Sequence, residues 1–247
     1  NDVLEDETSI IISFMPVWAL AKFLENLAIN NPKFLKSLNK LILCSSSSAI
    51  TKKYAFNSFD KNLSRNLINS ENKIIDLGIK FNFKTIIIQP SMVYGSYGKL
   101  EDKNFSFLKK LMRFSPFIFL PYNCGKRQPI HCVELAEVFY KFLENDNKTI
   151  HLQNSRLLIG GDFEISYQDM LLKLQKSSAH NDNLRRCKLI LIPDFIFIIF
   201  SLPLALFSLK LFEANLRILS DLSEFVHQNV ITQNKTDTFP NSVYKNE

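Results

Sequence analysis

Apolar residues along this chain fall into short unbroken runs that alternate with stretches of helical spacing. Ser9-Ile-Ile-Ile-Ser-Phe14 is almost wholly apolar and ends at Met15-Pro16, the pattern of a parallel strand covered on both faces. Val17 to Ile29 carries apolar residues at helical spacing and is stopped by Asn30-Asn31-Pro32. Lys40-Leu-Ile-Leu-Cys44 is a second buried run that leads into Ser45 to Ser48. Leu63 to Lys80 restores a helical period, and Thr85-Ile-Ile-Ile-Gln89 forms a third run ended by Pro90. Strand, helix, strand, helix, strand predicts a parallel α/β sheet, whose right-handed crossovers set the strand C-termini along one edge.

Beyond Tyr94-Gly95 the pattern changes. A polar loop, Ser96 to Lys103, precedes a helix over Ser106 to Phe114 and the proline-bounded segment Pro116 to Pro121, where the chain is expected to leave the sheet. Val133 to Glu144 predicts an amphipathic helix and Thr149-Ile-His-Leu152 a strand. Gly160-Gly161 breaks the chain before Ser166-Tyr-Gln-Asp169, whose Ser166 suits a helix N-cap. The expected division is residues 1–99 with 133–152 as the sheet domain, 100–132 with 153–220 as a small lobe containing apolar helices, and 221–247 as a polar, loosely held tail.

Leu189 to Leu209 is strongly apolar and approaches the length that spans a bilayer. Pro193, Asp194 and Pro203 interrupt it, and an uncompensated Asp costs roughly 2.5–3.5 kcal/mol near the centre of a membrane helix. Asp194 lies near the end of the run, where that cost falls. Two readings stand: helices that are buried or face a homodimer partner, and membrane association through this run.

Composition narrows the classes. With 247 residues and 46% hydrophobic content the chain can bury a sizeable core. The net charge of +6 favours anionic ligands, but the lysines are scattered and form no dense stripe, so nucleic acid is not an expected partner. Cys44, Cys124, Cys132 and Cys187 lack metal or disulfide spacing, and the four histidines lack ligand spacing; no metal site is expected, and a reducing cytoplasmic setting is the default. The chain opens at Asn1 without a basic and apolar leader, which reads as a fragment or a trimmed product.

Several motifs carry a family resemblance in order. Leu43-Cys-Ser-Ser46 resembles the strand and serine motif of the NAD-dependent epimerase/dehydratase family, within the extended short-chain dehydrogenase/reductase class. Gln89-Pro-Ser-Met-Val-Tyr-Gly95 is similar to that family's R-P-x-x-x-Y-G motif, with Gln89 in place of Arg. Arg127-Gln-Pro-Ile-His131-Cys-Val-Glu134-Leu-Ala136 resembles R-x-x-x-H-V-x-D-L-A, and Gly160-Gly161 with Ile165-Ser-Tyr167 resembles a stretch that precedes a helix of the substrate lobe. The resemblance runs from Ser9 to Lys176. It implies part of a Rossmann-type doubly wound parallel sheet with a small C-terminal substrate lobe, NAD or NADP as cofactor, and a nucleotide sugar as substrate. It further implies that Ser46 orients the reacting hydroxyl, that Ser45, Pro90, Ser91, Val93 and Tyr94 line the cofactor, and that Asn104 and Arg127 bind the substrate.

The leading expectation is an epimerase/dehydratase acting on a nucleotide sugar by transient hydride transfer to and from NAD(P), and the alternative is a non-catalytic NAD(P)-binding or assembly protein of the same fold; two departures bear on the choice. The family's G-x-x-G-x-x-G loop, whose backbone N–H groups hold the pyrophosphate, is not found before Ser9. The family's Tyr-x-x-x-Lys pair moves the proton as hydride leaves. Counting back from Gln89-Pro90, Glu71 matches the acidic residue four after the Lys, which sets Leu67 in the Lys slot and Leu63 in the Tyr slot. Leucine transfers no proton. Tyr54, with Lys52 and Lys53, reads as surface loop; His131 reads as a packed histidine, Trp18 as packing, Lys73 as solvated helix face and Asp169 as a helix-start residue.

Overall fold

The computed structural model describes residues 9–97, 100–144, 154–161, 163–223 and 239–240. The chain begins with β1 (Ser9–Ser13), α1 (Val17–Asn30), α2 (Pro32–Ser37), β2 (Leu38–Cys44), α3 (Ser58–Phe81) and β3 (Lys84–Pro90). Next come β4 (Val93–Tyr94), α4 (Lys103–Phe114), β5 (Phe117–Pro121), β6 (Lys126–Arg127), β7 (Ile130–His131), α5 (Cys132–Glu144) and β8 (Ser155–Ile159). It closes with β9 (Ile165–Ser166), α6 (Tyr167–Ser177), β10 (Lys188–Ile192), α7 (Asp194–Phe207) and α8 (Leu209–Leu216). These elements form two compact units, Asn1–Pro90 with Glu137–Ile159, and Ser91–Ala136 with Gly160–Glu247.

The first unit is a parallel sheet of order β1-β2-β3-β8. Its central strands β2 and β3 are buried along most of their length, as in sheets covered on both faces. On one face Leu41, Leu43 and Ile87 pack with Val17, Leu20 and Leu24 of α1 and Leu67 and Ile74 of α3. The i, i+3, i+4, i+7 spacing of Val17, Leu20, Ala21 and Leu24 is what gives α1 its buried stripe. Lys40 and Ile42 point to the opposite face, where the fully buried Lys40 Nζ donates to the Phe142 carbonyl at the end of α5 at 3.1 Å.

Helix boundaries follow local chemistry. Asn31 accepts from the Phe34 amide and Pro32 occupies the first turn of α2. Asn57 accepts from the Asp60 amide at 2.8 Å to start α3, and Asn82, at φ 63°, ends it in the left-handed region. Gly78 lets α3 approach β3: an added Cβ would stand 2.5 Å from Thr85 Oγ1 and 3.0 Å from the Phe83 carbonyl. Gly78→Ala gains about 1 kcal/mol of helix propensity but meets that overlap, at roughly 1–3 kcal/mol. A net loss of about 1 kcal/mol is expected, read from the urea unfolding midpoint; an unchanged or raised midpoint contradicts the close approach.

In the second unit short strands pair as β4 with β7, β5 with β10, and β6 with β9. Its core gathers Tyr94, Phe105, Met112, Leu120, Met170 and Leu174. Asp102 caps α4 by accepting from the Phe105 amide at 2.6 Å, and Ser166 caps α6 by accepting from the Asp169 amide at 3.0 Å. Asp182 takes a forked contact from Arg113, Nε at 3.0 Å and Nη2 at 2.8 Å, which holds its carboxyl down to about 2.

Three expectations change. Pro116 to Pro121 leaves the first sheet but contains a strand of its own, because its apolar residues find a parallel partner in β10. The run Leu189 to Leu209 is not a set of buried helices: it starts as β10, and α7 keeps only Phe197 and Ser201 buried. Among the described residues no helix is long and apolar enough to cross a membrane. Phe239, in the stretch expected as a loose tail, is buried against Tyr94 and Phe105. The strand expected over Thr149 to Leu152 lies outside the described residues; the fourth strand of the sheet is Ser155–Ile159.

Candidate functional site

A polar network joins the C-terminal ends of β2 and β3 in the first unit to the start of β8. Glu71, fully buried on α3, accepts from Gln89 Nε2 at 2.9 and 3.0 Å, from Arg156 Nε at 2.7 Å and from the Ser45 hydroxyl. Arg156 also donates to Asn72. Because Gln89 and Arg156 sit on β3 and β8 and Glu71 on the helix above them, one carboxylate ties three elements together. The Ser45 amide donates to the Ile88 carbonyl at 2.7 Å and the Ser47 amide to the Pro90 carbonyl at 3.1 Å. The serine run is thus fastened to the end of β3.

Ser46 follows directly. Its Oγ accepts from the Ser48 amide at 3.1 Å, which opens the helical turn Ser48–Thr51. The segment after it is held to α3 at two further points: Ser64 Oγ donates to the Ala49 carbonyl at 2.6 Å, and Lys52 pairs with the buried Asp60 at 2.8 Å. Lys52 is therefore committed to Asp60, while Tyr54 is 82% exposed. Burial pushes the Cys44 thiol up to about 11, so it is an unreactive neighbour.

The slots expected for a proton-transfer pair are apolar in space as well as in sequence. Leu67 is buried and Leu63 packs partly buried in the same core. No side chain at either position titrates or forms hydrogen bonds.

The other residues expected at the site, Ser91, Val93, Tyr94, Asn104 and Arg127, belong to the second unit. The Ser91 hydroxyl donates to the Gln128 carbonyl. Val93 and Tyr94 form β4, with the Tyr94 ring inside the core, edge-on to Phe105 and His131 at 5.7 and 5.1 Å. Asn104 is exposed in the first turn of α4. Arg127 is only 5% exposed: Nη1 donates to the Lys126 and Ser220 carbonyls at 2.7 and 2.6 Å, Nη2 to the Arg217 carbonyl, and the guanidinium lies over the Tyr167 ring at 5.6 Å. In this arrangement the cation fastens the chain that follows α8. Burial pushes the Tyr167 phenol up to about 12, and Arg127 pulls the other way.

His131 Nδ1 accepts from the Val133 amide at 3.2 Å. An added Cβ on Gly95, at φ +110°, would stand 2.4 Å from its Nε2. Burial holds the His131 pKa below the ordinary 6.5. The unfolded chain then binds more protons than the folded one as pH falls through that value. Stability contributed by neutral His131 is present above it and lost toward the lower folded value. His131→Asn is expected to lose less stability than the parent between neutral and mildly acidic pH, followed by urea midpoints; equal losses contradict this.

Sequence reasoning missed Arg156 and the fastening of the loop by Ser64 and Asp60. A lone cation in the short apolar run Ser155–Ile159 was the available signal, since a charge in a sheet interior needs a partner. Toward a dinucleotide the polar edge presents Ser46, which is partly exposed and keeps its hydroxyl proton as a donor suited to a ribose or carboxamide oxygen, whereas Gln89 Oε1 is sealed in the core without a hydrogen-bond partner. A glycine-rich phosphate cradle is not among the described residues. Nor is any cluster of three or more His, Cys, Asp or Glu side chains placed among them to hold a metal ion.

Comparison with protein-family models and with curated proteins found no match. Solved structures do match. The UDP-glucuronic acid 4-epimerase from Bacillus cereus in complex with NAD aligns with a TM-score of 0.51 at 19% identity, over 70% of this chain and 54% of that one. The same enzyme with UDP-glucuronic acid and NAD aligns at 0.49 and 17% identity, over 72% and 54%. A GDP-D-glycero-L-gluco-heptose synthase from Campylobacter jejuni in the presence of NADPH aligns at 0.47 and 13%, over 74% and 72%. The chain spans about half the length of the epimerase it matches. At such identities the likeness speaks to architecture: the protein carries part of a Rossmann-type parallel α/β fold, the fold of a nucleotide-sugar epimerase.

Proposed function

We propose that this chain carries the substrate-side part of an NAD(P)- and nucleotide-sugar-binding site, in an epimerase/dehydratase-like protein that lacks the usual proton relay. The observation that supports this most is the serine edge at the end of β2, with Ser45 held by Glu71 and Ser46 beside it. Open parallel sheets bind ligands outside their strand C-termini. Ser46 would orient a sugar hydroxyl, and Ser45 and Pro90 would meet the nicotinamide end of NAD or NADP. That cofactor supplies reversible hydride transfer when bound. Within the second unit, taken by itself, Asn104 is exposed on α4 and is the residue we assign to nucleotide-sugar contact there. With Leu63 and Leu67 in the slots where relatives of this kind use Tyr and Lys, the reading is binding without the usual turnover.

The test incubates the protein with NAD⁺ and UDP-glucuronic acid, then with GDP- and dTDP-linked sugars, and follows both bound ligand and epimerised product. Bound cofactor or sugar without product is expected. Steady conversion would overturn the binding-only reading, and no binding of any member would overturn the ligand class.

A further inference from the structure

The second unit leaves an apolar helix largely uncovered. From Phe195 to Leu209 the chain has no charged residue. Asp194, the one charge in α7, is tied into the fold: its carboxylate accepts from the Asn123 amide at 3.1 Å and from Asn123 Nδ2 at 2.7 Å. Phe195, Ile199, Phe200, Leu202, Leu206 and Phe207 are all exposed, the last two at 88% and 86%. The apolar surface continues onto β5, where the Phe119 ring lies 5.9 Å from Phe200 and 5.2 Å from Phe117.

We propose that α7 lies in the interfacial layer of an anionic lipid membrane and holds the protein there peripherally. Three observations select this occupant. At 100° per residue, the exposed positions from Ile198 to Phe200 around Ile199 sweep roughly 200° of the helix circumference. One flat protein surface covers a stripe of about 100° of a helix and would leave the rest of this arc in water, whereas fluid acyl chains conform to the whole of it. The 14 residues of α7 span about 21 Å, short of the ~30 Å hydrocarbon core, so the helix lies along the surface. Along the chain, exposed Arg186 and Lys188 precede it across β10 and exposed Lys210 follows it, and the whole chain carries +6. α7 itself carries no Lys or Arg, so the cations that would meet anionic headgroups come from the segments before and after it in the chain.

The test is sedimentation of the full chain with phosphatidylcholine vesicles, with and without phosphatidylglycerol. Binding is expected to the anionic vesicles and to fall with added salt. Lys188→Ala should weaken it about fivefold and Phe207→Asp by about tenfold or more. Phe207 is nearly fully exposed, so its substitution should leave the thermal unfolding curve unchanged, which separates lost anchoring from lost fold. Absence of vesicle binding overturns the proposal. So does a dimer in solution that Phe207→Asp dissociates while vesicles capture nothing.

Discussion

Arg156→Ala is expected to lower the stability of the first unit by about 3 kcal/mol. Glu71 is fully buried, whereas Arg156 keeps a third of its side chain exposed. The two partners are therefore unequal. Removing Arg156 leaves a carboxylate sealed under α3 with only Gln89 and Ser45 as donors. Removing the charge from Glu71 leaves a cation that can reach water. Glu71→Gln should accordingly cost less than Arg156→Ala, and the double variant should be more stable than Arg156→Ala alone. Urea titrations of the four proteins give the comparison directly. A double variant less stable than Arg156→Ala would mean that the carboxylate is not held mainly by its cation.

The second large effect concerns Arg127. Its guanidinium donates to three backbone carbonyls, two of them in the turn after α8, and stacks on Tyr167. Hydrogen bonds to charged groups contribute about 1.5–3 kcal/mol each and do not add fully. Arg127→Ala should then cost about 3 kcal/mol, with the three acceptors left to find water. Arg127→Lys should restore less than half of that, since a compact ammonium cannot reproduce the planar fork. The same pair of variants separates the structural task from phosphate binding. If Arg127 is chiefly a clamp, Arg127→Lys loses stability more than nucleotide-sugar affinity. The reverse ranking would return Arg127 to the binding role that its motif implies.

Much of the first unit was legible because its signals are local. The runs at β1, β2 and β3 are short, apolar and punctuated by proline or serine, and the helices between them carry clear periods and caps. β8 escaped because its run is brief and contains Arg156, which only makes sense once Glu71 lies across from it. The second unit was less legible. Its two-residue strands owe their pairing to neighbours far away in the chain, as with Ile165 and Arg127. β10 and α7 share one apolar run, and periodicity alone cannot divide it. For the site, Ser45, Ser46 and the Leu63 and Leu67 slots followed from motif order. The burial of Tyr94 and the occupation of Arg127 by carbonyls were invisible, because burial is a property of the assembled unit.

Nucleotide ligands are expected to meet the protein at the serine edge of the parallel sheet. Calorimetric titration of NAD⁺, NADP⁺ and UDP-glucuronic acid into the parent protein and Ser46→Ala tests it most directly. Ser46 is partly exposed, and its Oγ forms a single local contact to Ser48, so the substitution should leave the unfolding midpoint within about 0.5 kcal/mol of the parent. Loss of one ligand hydrogen bond should weaken binding by about tenfold. Saturable binding by the parent that Ser46→Ala weakens is the predicted result. Equal affinity in both proteins, or no heat in either, would contradict it.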